Sequence, residues 1–290
     1  MNVGIVDVGG GMRGIYAAGV FDALLDQGLQ DAFSLGIGVS AGCANLASFF
    51  ALQRGRNYRF YTRYAFRPQY MSLRNSWRLH SYFDMDYIYG TLSAPEGEDP
   101  FDYDAFLRSR ADFVAVATDA VTGAPRYFTK EEMRALGDRA LDVFKASGSI
   151  PFFCRPYPVD GQDYFDGALG DPVPVEAALA RGCDRVVLVL TRPVDMLRDS
   201  WMDEPVAKQI EGNYPLAAEQ LRRRAARYNE AVDRAKEYAA EGRVLIFAPD
   251  DMRGVGTLRR DRSALRRFYV KGYRDGAEAE QKLREFLELP

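Results

Sequence analysis

Short apolar runs alternate along the chain with longer amphipathic or polar stretches. Runs typical of strands lie at residues 3–8, 33–37, 112–119, 125–129, 162–165, 185–191 and 243–248. Helical patterns lie between them, at residues 15–25, 43–52, 130–145 and 206–241, with a short one ending near residue 180 and two charged ones closing the chain. This alternation predicts an α/β fold with a mostly parallel sheet covered by helices on both faces.

The chain is organised around residues 38–42, G-V-S-A-G, which lie between the second apolar run and a helix of small residues. A G-x-S-x-G sequence in this strand–turn–helix context is typical of a nucleophile elbow. Gly38 and Gly42 remove side chains that would collide where the strand and helix pack closely. The pattern therefore predicts that the Ser40 hydroxyl is exposed to a reactant and that the Ala41 amide faces any oxyanion. The alternative is a glycine-rich turn with a packing role alone.

A second glycine-rich segment, residues 9–14, follows the first strand directly. Gly9, Gly11 and Gly14 satisfy the dinucleotide pattern G-x-G-x-x-G. A dinucleotide-binding unit, however, needs an acidic residue at the end of its second strand, and here that strand ends in Ser40. This favours a loop whose backbone amides stabilise a developing negative charge.

Composition limits the classes of protein to which the chain can belong, but it does not indicate a function. The chain has 290 residues, 47% of them hydrophobic, and a net charge of −3, which does not indicate a nucleic-acid partner. Its cysteines, Cys43, Cys154 and Cys183, form no close-spaced pair, as expected in a reducing compartment. We find no signal-peptide pattern and no apolar run of transmembrane length, so we expect a soluble, cytoplasmic protein.

Residues 54–83 contain seven arginines and nine aromatic residues but no aspartate or glutamate. This composition suits contact with anionic lipid, and Arg59, Arg63 and Arg67 are the candidates for a substrate or membrane surface. Two alternatives stay open: a structural helix face whose arginines pair with acids elsewhere, and nucleic-acid binding. An acidic loop follows at residues 90–102.

A serine nucleophile needs a base. The chain has one histidine, His80, which lies among the arginines and closely follows the elbow, unlike the late histidine of α/β-hydrolases. A Ser-x-x-Lys pair is also absent, because Cys43 occupies that position. A carboxylate base remains, and Asp166, between a short strand and a glycine, is best placed. Its alternative role is that of a turn former.

Four motifs in order resemble the patatin-like phospholipase family: residues 9–14 (G-G-G-M-R-G), 38–42 (G-V-S-A-G), 146–151 (A-S-G-S-I-P) and 166–168 (D-G-A). The resemblance covers about residues 1–195. It implies a three-layer α/β/α fold and an enzyme that hydrolyses acyl esters of lipids with a Ser–Asp dyad and no metal or cofactor.

By position, the resemblance makes Ser40 the nucleophile and Asp166 the general base. It assigns the oxyanion hole to Gly10, Gly11, Met12 and Ala41. Arg13 matches the basic position that orders the loop, and the supporting motif positions are Gly9, Gly14, Gly38, Gly42 and Gly167. Ala168 replaces a glycine found in many members.

We expect residues 1–195 to form the catalytic domain and residues 196–290 a mostly helical extension with one strand, packed on the same domain. The expected partner is a lipid or acyl-ester substrate, with peripheral contact to an anionic membrane and no nucleic acid. The competing function is a non-catalytic lipid- or nucleotide-binding protein that keeps the glycine-rich loop. The presence of both Ser40 and Asp166 argues against it, because a binding protein needs neither.

Overall fold

A sheet of eight strands forms the centre of the computed structural model, which describes residues 1–289. The strands are β1 Val3–Asp7, β2 Leu35–Val39, β3 Asp112–Asp119, β4 Pro125–Thr129, β5 Tyr157–Val159, β6 Gln162–Asp166, β7 Arg185–Val189 and β8 Val244–Phe247. Their order is β5-β6-β3-β2-β1-β7-β8, and β4 also pairs with β3. Adjacent strands in the series β3-β2-β1-β7-β8 are parallel, whereas β4, β5 and β6 run antiparallel to their neighbours. The predicted mostly parallel sheet is confirmed.

Helices cover both faces of this sheet. They are α1 Ile15–Asp26, α2 Ala41–Phe50, α3 Arg56–Thr62, α4 Leu73–Leu79, α5 Tyr103–Arg108, α6 Lys130–Leu136, α7 Asp142–Ser147, α8 Val175–Ala180, α9 Asp203–Ile210, α10 Pro215–Ala240, α11 Arg262–Glu278 and α12 Glu280–Phe286. Single turns of 3₁₀ helix lie at Gly11–Gly14, Gln30–Ala32, Tyr64–Phe66, Gly137–Arg139 and Gly167–Leu169, and Asp86–Leu92 forms a π-helical segment.

Alternate residues of the central strands enter two separate cores, because successive side chains of a strand point to opposite faces. Ile5 of β1 joins the core under α1, α2 and α11, whereas Val6 joins the core under α8 and α10. Burial on both faces explains why these strands are continuous apolar runs in the sequence. The result is the three-layer arrangement that the resemblance implies.

The C-terminal region extends the same layers. Strand β8 pairs in parallel with β7, and α11 packs along α1. The contact is close, since a methyl group on Gly272 would lie 2.0 Å from the carbonyl oxygen of Tyr16. The division at residue 195 itself stays a prediction.

Two predicted helices are wrong in their extent. The helix expected over residues 130–145 ends at Leu136, because Gly137 adopts a φ of 57° that interrupts a right-handed helix. The helix expected over residues 206–241 is two helices, α9 and α10. Pro215 starts the second, and a residue before proline is driven out of the helical conformation, as Tyr214 is.

Candidate active site

Ser40 forms the turn between β2 and α2. Its φ of 56° and ψ of −128° are unusual for a residue with a side chain, and such strain is typical of a nucleophile elbow. The flanking glycines are required by close packing. A methyl group on Gly38 would lie 2.6 Å from the Cα atom of Cys43, and one on Gly42 would lie 2.3 Å from the carbonyl oxygen of Asp7.

Asp166 is the last residue of β6 and lies opposite Ala117 of β3. Its carboxylate lies beside the Ser40 side chain, which lowers the pKa of Asp166, and accepts a hydrogen bond from the Ala168 amide at 2.9 Å. Burial raises the pKa of Asp166 to about 6, and its interactions with the Ser40 side chain and the Ala168 amide only partly offset that effect. At pH 7 a carboxyl group of this pKa is mostly ionised, and it is more basic than an exposed aspartate.

The serines of the A-S-G-S-I-P segment hold the backbone of both residues. The Ser147 hydroxyl accepts the Ser40 amide at 2.9 Å and donates to the Val116 carbonyl at 2.6 Å. The Ser149 carbonyl accepts the Asp166 amide, also at 2.9 Å. One short segment therefore fixes Ser40 relative to Asp166. The sequence showed the A-S-G-S-I-P segment only as one of the four matching motifs and did not indicate its structural role.

We expect Ser147→Ala to destabilise the protein and to lower kcat/KM for a soluble ester. The variant leaves the buried Ser40 amide without an acceptor, a loss of about 1–3 kcal/mol, and frees the elbow to move. Urea unfolding and steady-state kinetics measure the two effects. The control is Ser149→Ala, which removes a bond to the Lys145 carbonyl but keeps the Ser149 carbonyl bond to Asp166. Wild-type stability and activity in Ser147→Ala would contradict this role.

A buried acidic residue that was not among the predicted site residues supports the glycine-rich loop. Asp7, the last residue of β1, accepts the Gly9 amide at 2.8 Å and the Asn45 side chain at 2.9 Å. Thr191 donates its hydroxyl to the Gly9 carbonyl. Burial raises the pKa of Asp7 to about 7. The sequence feature that could have indicated this role is an acidic residue in an otherwise apolar strand, two positions before the first glycine of the loop.

Three of the four amides assigned to the oxyanion hole are free to bind. Those of Gly10, Gly11 and Ala41 have no acceptor within residues 1–289. The Met12 amide donates instead to the Thr257 carbonyl at 2.9 Å, so it is occupied in this structure. The glycine-rich motif does not predict this contact, because Thr257 lies in the distant C-terminal region. The oxyanion role of the three free amides stays a prediction.

The remaining motif positions are also tightly packed. A methyl group would lie 2.2 Å from a backbone oxygen at Gly9 and at Gly167, and 2.4 Å from the Tyr61 hydroxyl at Gly14. Arg13 is buried against the loop and donates to the Thr257 hydroxyl. Burial, aided by the nearby Arg192 charge, lowers the pKa of Arg13 to about 9.

Ser40 lies where two cavities of different polarity meet. The first, of about 80 Å³, is mostly apolar, and its lining includes Met12, Phe60, Met71, Phe83, Ile88 and Ile150. The second, of about 530 Å³, contains Asp166 and the glycine-rich loop. Its outer wall comes from the C-terminal region and includes Arg198, Arg224, Tyr228 and Thr257.

A family model of patatin-like phospholipases matches residues 8–179. The chain belongs to the patatin-like phospholipase family. Ser40 and Asp166 of this patatin-like protein both lie within the matched residues, and the family is one of lipid hydrolases. A second family model, a domain of unknown function (DUF6363), matches residues 214–288 and so includes α10 and α11.

The patatin-like protein is 31% identical over 200 residues to the uncharacterised protein YjjU of Escherichia coli strain K12. The alignment covers 67% of this chain and 53% of YjjU, so the chain spans about half the length of that relative. The crystal structure of VipD from Legionella pneumophila is 11% identical and has a TM-score of 0.49. The match covers 99% of this chain and 67% of the VipD chain.

The three arginines proposed for a lipid surface pair with the acidic loop in this patatin-like protein. Arg59 makes two hydrogen bonds to Asp99, at 2.6 and 2.9 Å. Arg63 and Arg67 both pair with Glu98. These contacts favour the structural interpretation of the arginine-rich stretch, and contact with an anionic membrane stays a prediction.

His80 is exposed at the C-terminal end of α4 and lines neither cavity at Ser40. Among residues 1–289, no group of three or more His, Cys, Asp or Glu side chains is arranged to hold a metal ion. Over the same residues, no helix combines the length and apolar character needed to cross a bilayer.

Proposed function

We propose that this protein hydrolyses acyl esters of lipids, with Ser40 as the nucleophile and Asp166 as the general base. The observation that carries the proposal is the position of the Asp166 carboxylate beside the Ser40 side chain, where an apolar and a polar cavity meet. A base must reach the proton that it removes, and its pKa must leave it ionised at the working pH. Its position beside Ser40 and its pKa of about 6 support Asp166 in this role.

In the first half of the reaction, the Ser40 oxygen attacks the acyl carbonyl carbon while Asp166 accepts the hydroxyl proton. The amides of Gly10, Gly11 and Ala41 stabilise the tetrahedral oxyanion. The intermediate then breaks its bond to the alcohol oxygen, which takes the proton from Asp166 and leaves. An acyl-enzyme on Ser40 remains.

In the second half, Asp166 removes a proton from a water molecule, whose oxygen attacks the acyl carbonyl carbon. Collapse of the new intermediate breaks the bond to the Ser40 oxygen, which recovers the proton from Asp166. The products are a fatty acid and the free enzyme. The apolar cavity beside Ser40 suits the acyl chain, because its lining of Met, Phe and Ile side chains favours removal of apolar surface from water.

A fluorophosphonate probe tests the proposal directly, since it reacts with activated serines. We expect covalent labelling of the wild-type protein at Ser40, located by peptide mass spectrometry, and none in Ser40→Ala. A folded wild-type protein that is not labelled, and that hydrolyses no acyl ester, would overturn the proposal in favour of a binding protein.

A further inference from the structure

Four arginines line the polar cavity beside Ser40: Arg13, Arg192, Arg198 and Arg224. They come from distant parts of the chain, namely the glycine-rich loop, the segment after β7 and helix α10. Apart from Asp166, the carboxylates in the lining are those of Asp199 and Asp203. Positive charge therefore exceeds negative charge in a cavity that opens onto the candidate nucleophile.

Asp203 is shared by two of these arginines. Its Oδ1 atom lies 2.5 Å from Nη2 of Arg224 and 3.6 Å from Nη2 of Arg198. The Nε atoms of both arginines are buried and have no hydrogen-bond partner within residues 1–289, and the same is true of Oδ2 of Asp203. One buried carboxylate cannot neutralise two guanidinium groups.

The other two arginines have no anionic partner within the described part of the chain. Arg192 makes no hydrogen bond or ion pair there, and Arg13 bonds the neutral hydroxyl of Thr257. Burial, followed by the charge of Arg224, lowers the pKa of Arg198 to about 10. Crowded cations with this much burial are stabilised when an anion enters between them.

Guanidinium groups bind phosphate oxygens through paired, charge-assisted hydrogen bonds. The same cavity contains Ser40 and Asp166, which favours an anion that is part of the molecule under attack. The same arginines would repel a quaternary ammonium group. We infer that this basic cavity binds the phosphate of the substrate headgroup, and that the enzyme prefers phospholipids with a net negative headgroup to zwitterionic ones; this inference rests on the proposed function.

The test compares kcat/KM for three substrates: phosphatidic acid and phosphatidylcholine with the same acyl chains in mixed micelles, and a soluble nitrophenyl ester without phosphate. We expect the wild type to prefer phosphatidic acid. Arg192→Gln and Arg198→Gln should each lower kcat/KM for phosphatidic acid roughly ten- to hundredfold, mainly through KM, and Arg192→Gln should spare the nitrophenyl ester. Because Arg192 makes no hydrogen bond or ion pair within residues 1–289, its replacement breaks none there.

The matched control is Arg223→Gln. Arg223 is adjacent to Arg224 on α10 but pairs with Glu219 on the surface, 3.0 Å away. This variant should keep the wild-type preference, which separates binding in the cavity from general attraction of a charged micelle. An equal loss in Arg223→Gln and Arg192→Gln would overturn the inference.

An inorganic phosphate ion presents the same oxygen atoms to these arginines as a lipid headgroup does. Calorimetric titration of Ser40→Ala with inorganic phosphate, and kinetics in its presence, separates the two. Phosphate binding that depends on Arg192, without any preference among the lipids, would replace the headgroup inference with a free-phosphate site. If the nitrophenyl ester is hydrolysed but neither arginine variant changes phospholipid selectivity, the inference fails and the proposed function stands. If no ester is hydrolysed and Ser40 is not labelled, the proposed function itself fails.

Discussion

Ser40→Ala and Asp166→Asn should each reduce hydrolysis of a soluble acyl ester to near background, a loss of roughly four to six orders of magnitude. The reason is that the two side chains act on one proton, so that neither works without the other. The double variant should therefore be barely slower than either single variant. Initial rates with the same ester for all three variants give the comparison.

The stability of Asp166→Asn provides an internal check. The pKa of Asp166 is raised from 3.8 to about 6 in the folded protein, so the folded state binds the proton more tightly than the unfolded state. Stability due to this group is present at low pH and is lost as pH rises through about 6. At pH 7 the neutral asparagine should therefore raise the free energy of unfolding, by up to about 3 kcal/mol.

The matched control is Asp163→Asn, on the same strand, whose side chain accepts a hydrogen bond from Tyr214 and does not line either cavity at Ser40. It should retain most activity. Independent, multiplicative losses in the Ser40 and Asp166 variants would contradict a shared proton transfer.

The second large effect is the pH dependence of kcat/KM. Asp166 must be ionised to accept the Ser40 proton, and its pKa is about 6. We therefore expect kcat/KM to level off above about pH 7 and to reach half of its plateau at about pH 6. Below that value it should fall roughly tenfold per pH unit, so that the rate at pH 4 is about a hundredth of the plateau. A soluble ester measured across this range gives the profile.

Two variants test whether Asp166 causes the fall of kcat/KM at low pH, the acid limb of the profile. His80→Ala should keep both the limb and most of the activity, because His80 is exposed and outside the site. Asp7→Asn should keep the limb as well. Although burial raises the pKa of Asp7 to about 7, its hydrogen bonds are to Gly9 and Asn45 rather than to Ser40. A large loss in a folded His80→Ala variant would mean that Asp166 is not the base.

The sequence predicted the parts of the fold that depend on neighbouring residues. Strands β3 and β4 have the predicted limits, and the elbow at Ser40 lies between its expected strand and helix. Apolar runs and glycines report local burial and local backbone geometry, which the order of residues determines directly. The same local reasoning was wrong at residues 130–145 and 206–241, where a glycine and a proline interrupt the helical pattern.

The sequence pattern could not predict contacts between distant segments of the chain. Ser147 supports Ser40 from 107 positions away, and Arg59 pairs with Asp99 across 40 positions. In the sequence Arg224 is the last of three consecutive arginines in a polar helical stretch, yet it faces the cavity of Ser40 and shares Asp203 with Arg198. By itself the sequence determined the strands, the glycine turns and the candidate nucleophile and base. Only the tertiary structure decided the pKa of Asp166 and the charge around it, because burial and electrostatic neighbours depend on which remote segments meet.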